Sequence, residues 1–204
     1  MTTDFIVHIV DDNTANRELF EDLMESIDLT WKSHASALEF LKTFDPEPAG
    51  CLILDVRMPN MSGLELLEKL NQDGVNVPII LATAHGDVPM AIEAMKRGAF
   101  DFHEKPINNQ ALLESVERAI AHRRIQLENA ESEAAVKASY KTLTPREVDV
   151  YRLVVDGAMN KQIAYELDIS QRTVEVHRAK VMEKMQARNL ADLIKKHILL
   201  HGSA

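Results

Sequence analysis

Apolar positions follow two rhythms along the chain. Up to about residue 124, short aliphatic or β-branched runs alternate with stretches whose apolar residues recur every three or four positions. The runs at 5–10, 30–34, 51–54, 77–83 and 100–104 read as strands. Helical spacing links Leu19, Phe20, Leu23, Met24 and Ile27, then Ala37, Leu38, Phe40 and Leu41, the latter stopped before Pro46 and Pro48. Leu64, Leu66, Leu67 and Leu70 mark a third helix, 88–97 closed by Gly98 a fourth, and a fifth starts near Asn108. Strands alternating with helices over this length predict a doubly wound, five-stranded parallel sheet covered on both faces.

The pattern then changes. From 107 to 144 there is no Gly and no Pro, and Ala, Glu, Leu, Lys and Arg dominate, which predicts one long helix or two nearly continuous ones. Leu113, Val116, Ile120, Leu127, Ala130 and Ala134 give only a patchy heptad, so a solvated spacer is preferred to a two-chain coiled coil. Beyond it everything reads as helix. Thr144 is an N-cap, with Pro145 at the first position and Glu147 three residues on. Val148, Tyr151, Leu153, Val154 and Val155 give that helix a buried face, and Gly157 ends it. A short helix over 160–167 holds Ile163 and Ala164; after Asp168-Ile169, Ser170 caps a longer helix running through Met185. Helix, tight turn, helix is the helix-turn-helix pattern. The remaining stretch completes a small all-α domain. The expected division is 1–124, a helical linker 125–140, and 141–204.

Charge sharpens the division. The net charge of −9 is spread unevenly: 1–124 carry eleven Lys and Arg against twenty-one Asp and Glu, whereas 141–204 carry eleven against eight. An acidic domain joined to a mildly basic one results. No stretch approaches a membrane span, and Met1-Thr2-Thr3-Asp4 lacks the basic flank of a signal peptide, so the cytoplasm is the expected location, with no membrane partner. The single cysteine, Cys51, lies in an apolar run and reads as a small buried hydrophobe.

Candidate chemistry gathers at the strand ends. Asp11 and Asp12 follow the first strand, Asp55 the third, Thr83 ends the fourth and Lys105 follows the fifth. In a doubly wound sheet these positions share the carboxyl edge, where ligands bind. Clustered carboxylates repel unless a cation intervenes, and a hard ion such as Mg²⁺ suits them; a Lys and a hydroxyl opposite could hold phosphoryl oxygens. Each residue alone has a plainer reading, as a helix cap, a turn hydroxyl or a solvated charge. Their joint placement favours a site.

Val10-Asp11-Asp12, Leu54-Asp55-Val56-Arg57-Met58-Pro59, Ala82-Thr83-Ala84-His85-Gly86-Asp87 and Glu104-Lys105-Pro106 resemble the receiver domain of bacterial two-component response regulators, a flavodoxin-like fold. The resemblance implies that Asp55 accepts a phosphoryl group from a sensor histidine kinase. It implies that Asp12, Asp55 and the Arg57 carbonyl ligate Mg²⁺, with Asp11 acting through water. Lys105 and Thr83 would contact the phosphoryl oxygens, and Phe102 would rotate inward beside Thr83 as the switch. Lys105-Pro106 would be cis, and Arg57 and His85 would influence the acyl-phosphate lifetime. Ile107 departs from the Phe that many of the most similar members carry there.

Thr144-Pro145-Arg146-Glu147, Asn160-Lys161-Gln162-Ile163-Ala164 and Arg172-Thr173-Val174-Glu175-Val176-His177-Arg178 resemble the LuxR-type DNA-binding domain, and with a receiver they resemble the NarL/FixJ group, FixJ-type regulators in particular. At 100° per residue, Val174, Val181 and Met185 form the core seam of the longer helix, while Arg172, Glu175, Val176, Ala179 and Lys180 lie opposite with Thr173 near the flank. Lys161, Arg172, Arg178 and Lys180 are expected to meet phosphates. By resemblance Glu175, Val176 and Ala179 read bases: the carboxylate suits a cytosine amino group and the small side chains a thymine methyl.

The sequence thus predicts a phosphorylation-controlled transcription regulator rather than an enzyme in the ordinary sense. It would dimerise on phosphorylation, and its partners would be the kinase, double-stranded DNA and RNA polymerase. The alternative is a DNA-binding regulator with a phosphorylation-independent receiver, which the full set of strand-end residues argues against. A metabolite phosphotransferase would leave the second domain unused.

Overall fold

The computed structural model describes residues 5–46, 48–84 and 88–202. It divides into two compact units, 1–126 and 127–204. His85 and the Gly86-Asp87 pair of the fourth strand-end motif, like Met1 to Asp4, lie outside the described residues.

In the first unit, β1 (Ile6–Val10), β2 (Thr30–His34), β3 (Ala49–Asp55), β4 (Ile79–Thr83) and β5 (Asp101–Glu104) form one parallel sheet in the order β2-β1-β3-β4-β5. The helices α1 (Thr14–Glu25), α2 (Ala37–Thr43), α3 (Gly63–Gln72), α4 (Val88–Lys96) and α5 (Asn109–Lys141) separate and follow the strands. All seven residues of β3 are buried, because the central strand of a parallel sheet is covered on both faces. One face packs Val10, Leu52, Leu54, Ile79 and Leu81 against Phe40 of α2, Leu66, Leu67 and Leu70 of α3 and Ala94 of α4. The alternate residues, among them Val7, Ile9, Ile53 and Ile80, are equally buried, as are Phe20 and Met24 of α1 and Leu112, Val116 and Ile120 of α5. Cys51 is fully buried, and burial pushes its thiol up to about 12. It is the expected hydrophobe.

The second unit contains α6 (Pro145–Val155), α7 (Asn160–Glu166), α8 (Gln171–Lys184) and α9 (Leu190–His201). Thr144 and Glu147 form the expected reciprocal cap: the Glu147 N–H reaches Thr144 Oγ1 at 3.3 Å and the Thr144 N–H reaches Glu147 Oε2 at 2.8 Å. Gly157, with φ 85°, ends α6, and Asp168, with φ 51°, makes the turn between α7 and α8. Val150, Tyr151, Val154, Ile163, Ala164, Val174, Val181, Met185 and Leu193 form the core.

The connector resolves as one unbroken helix, α5. Its two ends belong to different cores, and all but two residues of the expected linker, 125–140, fall in the second unit. Arg123, 7 % exposed, donates to the carbonyls of Ala49, Asn76 and Pro46 at 3.3, 2.7 and 3.2 Å, fastening α5 to the first unit. Val136 is buried in the second core, and Tyr140 stacks edge-on against Tyr151 at 5.2 Å.

Candidate phosphoacceptor site and DNA-facing helix

The order β2-β1-β3 places the first reversal of the winding between β1 and β3, where doubly wound sheets open a crevice. Val10 pairs with Leu54, so Asp11 and Asp55 leave adjacent strands at the same level. Asp55 pairs with Ala82 and Thr83 with Glu104, which brings the ends of β4 and β5 alongside. The Lys105 N–H donates to the Thr83 carbonyl at 2.8 Å, and the Lys105-Pro106 bond is cis, as expected.

Lys105 closes the cluster. Its Nζ donates to Asp11 Oδ2 at 2.5 Å and to Asp55 Oδ1 at 2.6 Å, and all three side chains are nearly buried. Asp55 Oδ2 also accepts the Arg57 N–H at 2.6 Å. Burial raises the Asp55 carboxyl above its ordinary range; the Lys105 ammonium opposes this, the Asp11 charge adds to it, and the Arg57 N–H opposes it. The carboxylate is thus held at the sheet edge with one oxygen on a cation and the other on a backbone donor.

Asp11 does not cap α1. That role falls to Asn13, whose Oδ1 accepts from the Ala15 N–H at 2.9 Å. Asp11 is 1 % exposed and turned inward, whereas Asp12 is exposed. Arg17 Nη1 donates to the Asp11 carbonyl at 2.8 Å and braces the loop from beneath.

A cavity of about 230 Å³ is lined by Asp11, Asp12, Asp55, Arg57, Thr83 and Lys105, together with Asn13, Asn16 and Ala84. Every expected phosphoryl-site and metal-site residue therefore meets in one crevice. Among the described residues no three His, Cys, Asp or Glu side chains converge as a metal cage. Mg²⁺ asks for less, because one or two carboxylates suffice when a carbonyl, waters and phosphate oxygens complete the shell. Two buried carboxylates, an exposed third and a backbone carbonyl at one crevice fit such an ion.

Thr83 is buried and lies two residues after Leu81, hence on the same face as Phe102, which pairs with Leu81. Phe102 is half-buried against the core of that face. Gly63 was not a candidate by sequence. A Cβ there would lie 2.2 Å from the Asp55 carbonyl oxygen, so α3 can start beside the acceptor only with glycine at its first position.

Val174 and Val181 of α8 and Met185 at its C-cap are buried, and Arg172, Glu175, Val176, Ala179 and Lys180 are exposed, as the helical geometry predicts. Thr173 is half-buried and Lys161 of α7 is exposed. Arg178 differs from the others. Its Nη1 donates to Asn160 Oδ1 at 2.7 Å, so here it braces α8 against α7. The spacing of the sequence did not announce this partner eighteen residues upstream, which engages one of the five guanidinium N–H donors.

Comparison with known proteins agrees with both halves. Residues 7–117 match the response regulator receiver domain, and 141–196 match the luxR family of bacterial regulatory proteins. The chain is a response regulator with a LuxR-type DNA-binding domain. It is 46% identical over 193 residues to the transcriptional regulatory protein FixJ of Rhizobium meliloti (strain 1021), covering 95% of each protein. With the response regulator protein TmoT of Ectopseudomonas mendocina identity is 45% over 93% of this chain and 86% of TmoT. The solved structure of the response regulator StyR superposes with a TM-score of 0.85 at 40% identity, over 95% of this chain and 98% of that one. Among the described residues no helix of this regulator is long and apolar enough to cross a membrane.

Proposed function

We propose that Asp55 is the phosphoacceptor through which a sensor histidine kinase controls sequence-specific DNA binding by this regulator in the cytoplasm. The observation that carries this reading is the Lys105 ammonium shared between Asp11 and Asp55 at the ends of neighbouring strands. Asp55 attacks phosphorus, forming an O–P bond as the P–N bond to the kinase imidazole breaks, and the imidazole leaves with the electron pair. Asp12, Asp55 and the Arg57 carbonyl would hold Mg²⁺, with Asp11 acting through water. When bound there, the ion would offset charge on the incoming phosphoryl oxygens.

Lys105 then moves from carboxylate to phosphoryl oxygen, and the Thr83 hydroxyl turns to the same group. The space beside Thr83 admits Phe102, which alters the surface of α4 and β5. The proposed consequence is receiver dimerisation, which brings two α8 helices to half-sites about 10 bp, or a multiple of one helical turn, apart. Glu175, Val176 and Ala179 read base edges, while Lys161, Arg172, Thr173 and Lys180 meet the backbone. Arg178 fixes α8 on α7 and meets the backbone with its other donors. RNA polymerase is the proposed downstream partner.

The test is light scattering with and without acetyl phosphate and Mg²⁺, on wild type and Asp55→Asn. Only the wild type is expected to shift from monomer to dimer. A shift in both proteins, or in neither, refutes the site.

A further inference from the structure

The Asp11 carboxylate has a third donor that the phosphoryl-site residues do not explain. Asn16, on the first turn of α1, directs its side-chain amide at the Asp11 carboxylate, with Nδ2 at 3.2 Å from both Oδ1 and Oδ2. The other donors are the Asn13 N–H, at 2.9 Å from Oδ1, and Lys105 Nζ on Oδ2. A carboxylate offers about four lone-pair sites, and each added donor on it weakens the rest. With Lys105 in place, Asp11 is satisfied and the Asn16 amide adds little.

We propose that Asn16 is a positioning residue for the phosphorylated state: it holds Asp11 when Lys105 has left it for the phosphoryl group. The inference rests on the phosphoacceptor reading above. When Lys105 departs, a carboxylate only 1 % exposed loses its one cationic partner. Of the donors it has in this structure, the Asn13 N–H and the Asn16 amide remain. The first binds Oδ1 alone and leaves the carboxylate free to swing about that oxygen. The second spans both oxygens and fixes its plane, which is what an oxygen that must orient a metal-bound water requires. The value of the Asn16 contact therefore rises as Lys105 is withdrawn. An amide with this geometry favours the phosphoryl-bound arrangement over the resting one.

The test uses beryllofluoride, a mimic of the phosphoryl group, titrated calorimetrically into the full chain at saturating Mg²⁺. The variant is Asn16→Leu, which keeps the branching of the side chain and favours the helix but cannot donate. Beryllofluoride affinity is expected to fall about tenfold. Mg²⁺ affinity without beryllofluoride, where Lys105 still serves Asp11, should stay within about threefold of wild type, and so should the thermal midpoint of the ligand-free protein, within a degree or two. A purely structural role would move the ligand-free midpoint and leave the beryllofluoride titration alone. Unchanged beryllofluoride affinity in Asn16→Leu overturns the proposal. Failure of the wild type itself to bind beryllofluoride would instead overturn the phosphoacceptor reading.

Discussion

Replacing Lys105 with Met removes the ammonium and keeps the aliphatic stem. Both carboxylate oxygens lie within 2.6 Å of the same nitrogen, so they stand no more than about 5 Å apart. At an effective dielectric constant of about 20, two unit charges at that separation repel by about 3 kcal/mol. Breaking a buried pair by removing one partner costs about 3–5 kcal/mol, which agrees with that figure. For a unit of this size the thermal midpoint should fall by roughly 10 °C at neutral pH without metal. The pH dependence has a definite sign. Burial already raises the Asp55 carboxyl, and losing Lys105 removes the first of the groups that oppose this. A carboxyl raised on folding gives up its proton first in the unfolded chain, so folded stability declines as pH climbs from the unfolded value toward the raised one. The variant should come nearest to wild type around pH 4 and fall behind toward pH 7. Calorimetric melts across that range, with and without Mg²⁺, provide the assay, since a dication at the crevice should narrow the gap at pH 7. A variant as stable as wild type at pH 7 without metal, or one whose deficit Mg²⁺ leaves untouched, would refute the counter-charge role of Lys105.

Three further outcomes follow from the geometry. Gly63→Ala would place a Cβ 2.2 Å from the Asp55 carbonyl oxygen; the backbone must yield, costing about 1–3 kcal/mol, and phosphorylation by acetyl phosphate, read on a phosphate-affinity gel, should drop sharply. Glu147 is held down to about 2, first by the Lys184 ammonium 2.6 Å away and next by the Thr144 N–H. Its stabilisation is present above the ordinary value of 4.5 and lost as pH falls through about 2, so Glu147→Gln should melt about 2 kcal/mol less stable at pH 7 and approach wild type only as pH falls to about 2. On DNA, Glu175→Ala should relax preference at one base pair by about 1–3 kcal/mol, whereas Lys180→Ala should weaken all sequences alike and lower the salt slope by about one, both measured by fluorescence anisotropy.

The site was legible because each of its residues ends an apolar run, and a run that ends at a parallel sheet's carboxyl edge leaves little freedom as to where its next residue goes. Asp11, Asp55, Thr83 and Lys105 were therefore placed by strand boundaries alone. Local chemistry was legible for a similar reason: the Thr144 cap, the glycine stop at Gly157 and the buried seam of α8 each depend on neighbours within one or two turns. What escaped were contacts that require two segments to be docked first. Gly63 reads as a loop glycine until α3 is set against the Asp55 carbonyl. His8 and His34, on paired strands, form a buried contact at 3.1 Å between Nδ1 and Nε2, and burial first, then the neighbouring imidazole, holds the His8 ring down at about 4. Nothing in the spacing of the two residues announces that.

Arg123 and Arg178 make the same point about charge. One lies in a charge-rich stretch that reads as solvated spacer, the other on a helix flank that reads as phosphate-seeking. Each donates to oxygens already fixed by the fold, Arg123 to three carbonyls at the base of the sheet and Arg178 to the Asn160 side chain. A guanidinium presents five donors in a rigid fork and gives up its hydration more readily than an ammonium. It is therefore the cation most apt to satisfy buried carbonyls, and its presence on an amphipathic flank carries less information about DNA than a lysine does. Lys161 and Lys180, both exposed, keep the phosphate-facing reading. Replacing Arg178 with Lys should separate the two roles. If the residue braces α8, the shorter list of donors loses the Asn160 contact and the LuxR-type unit melts earlier, with DNA affinity falling in proportion to the fraction unfolded. If it served chiefly as a phosphate cation, the conserved charge would preserve both.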